Sequence, residues 1–82
     1  MSLNAEVTNL LQRGMAAAKA GRKPEARELL LRATELDERN EQAWLWLSGV
    51  VDSPEDQHVC LENVLAINPA NTHAQEGLRK LV

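Results

Sequence analysis

The sequence predicts an all-α fold, a five-helix antiparallel stack of helix–turn–helix repeats. Apolar residues recur at steps of three and four in five segments, and no window shows the sustained alternation of a strand. Glycine, proline and capping residues separate these segments, so the turns are only about two to four residues long. Turns this short join antiparallel neighbours. At 82 residues the chain is expected to form a single domain, residues 1–82.

The first two helices are bounded by a glycine and a proline. The first is expected over about Leu3 to Ala20, because Gly21 takes the position that a helix C-terminus favours. Pro24 suits the start of the second, where its missing N–H costs nothing, and that helix is expected to end near Asp37. The predicted inward residues are Val7, Leu10, Leu11, Gly14, Ala17 and Ala18 in the first helix and Ala26, Leu29, Leu30, Ala33 and Leu36 in the second.

The last three helices begin at capping residues. Asn40 is expected to cap a third helix over about Glu41 to Asp52. Ser53 caps a fourth helix that runs to about Ile67, and Asn71 can cap a fifth. The predicted inward residues are Cys60, Leu61, Val64 and Ile67 in the fourth helix and Ala74, Leu78 and Leu81 in the fifth.

The third helix is apolar on nearly all sides. Leu45 and Trp46 point away from the face that holds Trp44, Leu47 and Val51. A helix of this kind is expected to be enclosed by its neighbours. We therefore place it in the middle, covered by the first two helices, by the fourth and by the fifth. The fifth helix has only a narrow apolar stripe and is expected to cap the stack with its polar face.

The chain also contains a weak internal repeat. A shift of 31 residues places four residues on identical ones: Leu30, Asn40, Ala43 and Leu47 fall on Leu61, Asn71, Ala74 and Leu78. The same shift places Leu36 on Ile67 and Asp37 on Asn68. A two-helix unit stacked on a copy of itself is typical of solenoid proteins.

These positions resemble the tetratricopeptide repeat, a 34-residue unit with the motif W-x2-L-G-x2-Y, then A-x3-F, then P. In the second unit the matching positions hold Trp44, Leu47, Ser48, Val51, Leu61 and Pro69, and in the first they hold Leu10, Gly14, Ala17, Ala26, Leu30 and Glu38. The resemblance implies repeat 1 at about 7–40, repeat 2 at about 41–71 and a capping helix at about 72–82. Because the second unit is three residues shorter, its first helix is expected to lack nearly one turn.

The resemblance also implies a function. In this family the first helices of successive repeats line a concave groove that binds peptides or helices. Carried to this chain, the groove is lined by Thr8, Leu11, Gln12, Met15, Ala18, Gln42, Leu45, Trp46 and Gly49.

The type of partner follows from the groove residues. Some members of the family bind a C-terminal carboxylate with lysine and asparagine, where this chain has Leu11, Met15 and Trp46. We therefore expect a partner polypeptide with an amphipathic helix rather than an acidic tail. The apolar residues could instead simply pack together or against the fifth helix.

Self-association into a homodimer is the alternative function. Fewer than three full repeats leave an end of the stack uncovered. Leu3, Val7, Leu10 and the outward Leu31 could then pair with a second copy of the chain.

Charge and cysteine content argue against other classes. A net charge of −3 gives no general attraction to nucleic acid, and the basic cluster of Lys19, Arg22, Lys23 and Arg27 is expected to be a solvated corner. The longest apolar run, residues 43–47, is too short to span a membrane. The single cysteine favours a reducing compartment, so a cytoplasmic location is expected.

No catalytic chemistry is expected. His58 and Cys60 are two residues apart on a helix and do not face one another, and His73 is expected to be solvated. The chain shows no zinc-ligand spacing and no glycine-rich phosphate loop. We therefore expect no enzyme activity, cofactor, metal or small-molecule substrate.

Overall fold

The computed structural model describes residues 3–81, along which five α-helices follow one another. They are α1 (Leu3–Lys19), α2 (Lys23–Leu36), α3 (Glu41–Ser48), α4 (Pro54–Ile67) and α5 (Thr72–Leu81). This part of the chain contains no strand, so the predicted all-α class is confirmed. Residues 1, 2 and 82, which form the ends of the predicted domain, lie outside the described residues.

The helices pack largely in chain order. α1 packs against α2, α2 against α3, α3 against α4, and α4 against α5, while α1 also touches α3. The Cα radius of gyration is 12.1 Å, close to the ~12 Å of a compact chain of this length. Trp44 and Leu45 of α3 also pack against an apolar cluster that includes residues of α5. α3 therefore lies in the middle, as its sequence predicts, but it is not fully enclosed, because Trp44, Leu45 and Trp46 are only half-buried.

The predicted ends of the helices have the expected capping geometry. Asn40, Ser53 and Asn71 each accept, through a side-chain oxygen, the backbone N–H three residues further on, at 3.0, 3.0 and 2.9 Å. These bonds satisfy N–H groups that would otherwise lack a partner in the first turn. Gly21 follows α1 with φ of 80°, in the left-handed region that glycine tolerates. The local start and stop signals were therefore sufficient to separate the helices.

α3 is shorter than the sequence predicts. It ends at Ser48 and not near Asp52. Gly49 is a poor helix former, which weakens the helix at this point. In addition, the Nε of Arg27 donates a hydrogen bond to the carbonyl oxygen of Val50 at 3.0 Å. A contact from α2 therefore holds the chain where a further helical turn was expected.

The core consists of aliphatic side chains in three clusters. The buried members are Ala17, Ala26, Leu30, Leu47, Val50 and Cys60 in the first, Val7, Leu10, Ala33 and Ala43 in the second, and Leu61, Val64 and Ala74 in the third. The half-buried Leu11 packs against the first two clusters, and Trp44 packs against the first and third. Every residue predicted to face inward on α1, α2, α4 and α5 is buried or half-buried.

Two turns 31 residues apart have the same hydrogen bonds. Asp37 and Asn68 end α2 and α4 with nearly equal backbone angles, φ −142° and ψ 90° against φ −140° and ψ 94°. Each side chain accepts the backbone N–H two residues on, at 3.2 and 3.1 Å. Further along, the side chains of Trp44 and Gln75 each donate to the carbonyl oxygen six residues before, at 2.9 and 2.7 Å. The weak sequence repeat thus corresponds to a repeated turn.

Candidate functional site

An open groove lies where α3 approaches the start of α5. It encloses a cavity of about 470 Å³ lined by Leu45, Trp46, Gly49 and His73. The first three belong to α3 or directly follow it, and His73 lies in the first turn of α5. Most of this lining is hydrocarbon, with the imidazole of His73 and the indole N–H of Trp46 as its side-chain polar groups. We call this cavity and its rim the α3–α5 groove.

The α3–α5 groove contains part of the predicted site. Leu45, Trp46 and Gly49 line it as expected, whereas residues of α1 are not among its lining. On α1, Leu11 and Ala18 pack against the same core cluster as Trp46, and Met15 is half-buried. The polar residues predicted for the groove, Thr8, Gln12 and Gln42, are exposed.

Lys19 adds a positive charge beside the groove. Its Nζ lies 5.7 Å from the centroid of the Trp46 ring, within the range of a cation–π interaction. Within residues 3–81, Lys19 forms no ion pair. The expectation of a solvated basic corner is correct for the exposed Arg22 and Lys23, but Lys19 lies over a ring and Arg27 is held in a tertiary contact. Sequence reading missed both interactions.

The two tryptophans differ in their environments. The indole N–H of Trp44 donates to the Glu38 carbonyl oxygen at 2.9 Å, and its ring connects two core clusters. The indole N–H of Trp46 has no hydrogen-bond partner among the described residues, and its ring lines the groove. Trp44 therefore has a structural role, whereas Trp46 offers both an apolar surface and a free donor.

The carboxylate of Glu41 fixes the start of α5 relative to α3. Its Oε2 accepts hydrogen bonds from the side-chain amides of Asn71 at 2.5 Å and Asn68 at 2.9 Å. These two hydrogen bonds lower the pKa of Glu41 below its ordinary value of 4.5, and the bond from Asn71 has the larger effect. Because Asn71 also caps α5, this arrangement helps to position His73 at the groove.

His73 could have been found from the internal repeat. The sequence predicts a solvated His73, and the residue is indeed exposed, but it also lines the groove. The 31-residue shift places His73 on Gln42, which the family resemblance predicts to line the groove. The repeat therefore carries the signal that a reading of α5 alone misses.

Two residues of the predicted dimer face, Val7 and Leu10, are not available on the surface of α1. Val7 and Leu10 are buried in the core at 4% and 6% exposure, against Ala33 and Ala43. They cannot also contact a second chain without unfolding α1 from the core. Leu3 remains exposed on α1.

Cys60 and His58 of α4 lie in different environments. Burial, with the neighbouring Asp56 carboxylate, raises the pKa of the Cys60 thiol to about 11. His58 Nδ1 lies 3.3 Å from the Glu62 carboxylate on the surface of α4. Residues 3–81 contain no group of three histidine, cysteine or acidic side chains placed to hold a metal.

No helix in this range combines the length and apolar character needed to cross a membrane.

Comparison with family models, with curated proteins and with solved structures finds no match to this chain. The function is therefore inferred from the geometry of the α3–α5 groove.

Proposed function

We propose that this domain is a non-catalytic protein–protein interaction module that binds an amphipathic helix of a partner polypeptide in the α3–α5 groove. The observation that carries the proposal is Trp46, which is half-buried, lines an open apolar cavity and keeps its indole N–H free. Indole side chains of this kind are the usual centres of binding energy at protein interfaces.

The dimensions and chemistry of the groove fit apolar side chains from a helix. A cavity of about 470 Å³ has room for a few such side chains, spaced at i, i+3 and i+4 along one face of the partner. Lys19 and His73 stand beside the apolar floor and can remain in contact with water, as the rim of an interface does. Thr8, Gln12 and Gln42 are also exposed to water, although they do not line this cavity.

The tetratricopeptide-like organisation is part of this proposal. It is supported by the repeated turns after α2 and α4 and by the equivalent Asn40 and Asn71 caps. It is also supported by the packing of each helix against the next one along the chain. In this interpretation the domain acts as a scaffold. We further propose that it works in the cytoplasm, for which the support is a single cysteine, so that no disulfide can form within the chain.

The proposal can be tested with helical peptides selected by display against the immobilised chain. Binding of a selected peptide is measured by calorimetry, and the two indole N–H resonances of the ¹⁵N-labelled chain are followed by NMR. We expect the Trp46 resonance to move and the Trp44 resonance to stay, because only Trp46 lines the groove.

Two variants locate the binding site. Trp46→Ala is expected to weaken peptide binding by at least about tenfold, which is the usual effect of removing an interface anchor. Leu31→Glu changes an exposed residue outside the groove and is expected to leave the affinity unchanged. Circular dichroism checks that both variants fold. Equal affinity of the wild-type and Trp46→Ala chains would remove the groove as the site.

A further inference from the structure

A second apolar surface lies on the other side of α3. Among the described residues, three large apolar side chains are exposed, and two of them, Leu31 at 46% and Val59 at 52%, border the same cavity of about 310 Å³. Trp44 and Leu47 of α3 line it as well. At 100° per residue these two lie opposite the groove residues of α3. We call this cavity and its border the α2–α4 patch.

We propose that the α2–α4 patch binds a second copy of the chain through a two-fold, isologous contact. The patch contains both projecting and receiving parts, because Leu31 on α2 and Val59 on α4 stand beside a cavity large enough for a leucine side chain. In a two-fold contact, one copy's projecting side chains enter the other's cavity, and the same contact occurs twice. The patch therefore has the two features that an isologous contact requires, exposed apolar side chains and a cavity to receive them.

The charges at the border of the patch are also complementary to a second copy. Arg27 lines the cavity on the α2 side and Asp56 on the α4 side. Arg27 uses Nε for Val50 and Nη2 for Asp52, at 3.0 and 3.1 Å, which leaves three of its five N–H groups free. The exposed Asp56 forms no ion pair within residues 3–81. A two-fold arrangement can therefore bring Arg27 of each copy to Asp56 of the other.

This surface is separate from the proposed peptide site. The α2–α4 patch and the α3–α5 groove share no lining residue. Dimer formation therefore leaves the groove open, and a partner peptide and a second copy can bind at the same time.

Sedimentation equilibrium of the whole chain tests the proposal at concentrations from about 1 to 500 μM. We expect the wild-type chain to form dimers in this range. Leu31→Glu or Val59→Glu should weaken dimerisation by about 100-fold, because each change buries an unpaired charge twice in an isologous contact. Leu3→Glu is the matched control, since it places the same charge on the other exposed leucine, at 54% exposure, and should leave the dimer intact.

Several outcomes would overturn the proposal. A wild-type chain that stays monomeric at 500 μM excludes the contact. A dimer unaffected by Leu31→Glu and Val59→Glu, but lost in Leu3→Glu or Trp46→Ala, assigns the contact to α1 or to the α3–α5 groove. Because all the charge substitutions are at exposed positions, circular dichroism is expected to show folded chains throughout, and the sedimentation result is then decisive.

Discussion

Replacement of Gly14 by alanine tests whether α1 and α2 approach as closely as the structure indicates. A Cβ at this position would lie 2.7 Å from both Cγ and Cδ2 of Leu30. These separations are well inside the ~3.5–4.0 Å of an unstrained carbon–carbon contact. Leu30 is 0% exposed, so its side chain has no open space to move into. Either the helices must separate or Leu30 must take a poorer rotamer.

Two opposing contributions determine the change in the free energy of unfolding. In a helix interior, alanine is more favourable than glycine by about 1 kcal/mol. An extra methyl group in a packed core costs about 1–3 kcal/mol. Because the added methyl group meets a fully buried leucine, we expect its cost to lie in the middle of this range. After the gain from helix propensity is subtracted, Gly14→Ala should lower the free energy of unfolding by about 1 kcal/mol. For a domain of this size the melting temperature should fall by about 4–8 °C.

Gly49→Ala provides the matched control. A Cβ on Gly49 would meet only the Trp46 carbonyl oxygen, at 3.5 Å, and the backbone angles of φ −86° and ψ −8° suit alanine. This variant should raise the free energy of unfolding by about 0.4–1 kcal/mol, because alanine restricts the unfolded chain. Urea unfolding followed by far-UV circular dichroism measures both variants. If Gly14→Ala stabilises the chain as much as Gly49→Ala does, the close contact with Leu30 is refuted.

Three further results are expected. Glu41 has a lowered folded-state pKa, so its stabilising effect is present above pH 4.5 and is lost as the pH falls through the folded value. Urea unfolding between pH 7 and 3 should show this loss in the wild-type chain and a smaller one in Glu41→Gln; equal losses would contradict the assignment. The Cys60 thiol has a pKa of about 11, so little of it is thiolate at pH 8. It should react with a disulfide reagent at least about 100-fold more slowly than a thiol of pKa 9.0. Equal reaction rates in the native and urea-unfolded chains would contradict the burial of this thiol. Ser53→Ala should cost about 1 kcal/mol in chemical unfolding and Ser53→Asp much less, because aspartate also caps helices; equal losses would rule out capping as the cause.

The features predicted correctly depend on neighbouring residues in the chain. The Asn40, Ser53 and Asn71 caps and the stop at Gly21 are local hydrogen-bond and dihedral preferences, so a single sequence contains them. The apolar stripes were predictable for the same reason, since the helical period alone decides which residues share a face.

The features that were missed depend on contacts between distant residues. The end of α3 is held by Arg27, which is 23 residues from Val50 in the chain. Likewise, no local pattern indicates that Lys19 lies over the ring of Trp46. The error about Val7 has a different cause, because one apolar face of α1 was assigned both to the core and to a dimer contact. The face can be used only once, and packing against α2 and α3 uses it.

The outer surface of α5 has a charged residue at a position where α1 and α3 have small ones. In the proposed repeat organisation, the small position between paired helices is held by Gly14 on α1 and by Ser48 on α3, which is 7% exposed. The 31-residue shift places Arg79 at the corresponding position of α5, where it is exposed. A further helix packed there as α2 packs on α1 would have to bury this guanidinium, which costs several kcal/mol without a paired acid. Arg79 therefore disfavours such a packing on the outer face of α5, and His73 is exposed beside the groove.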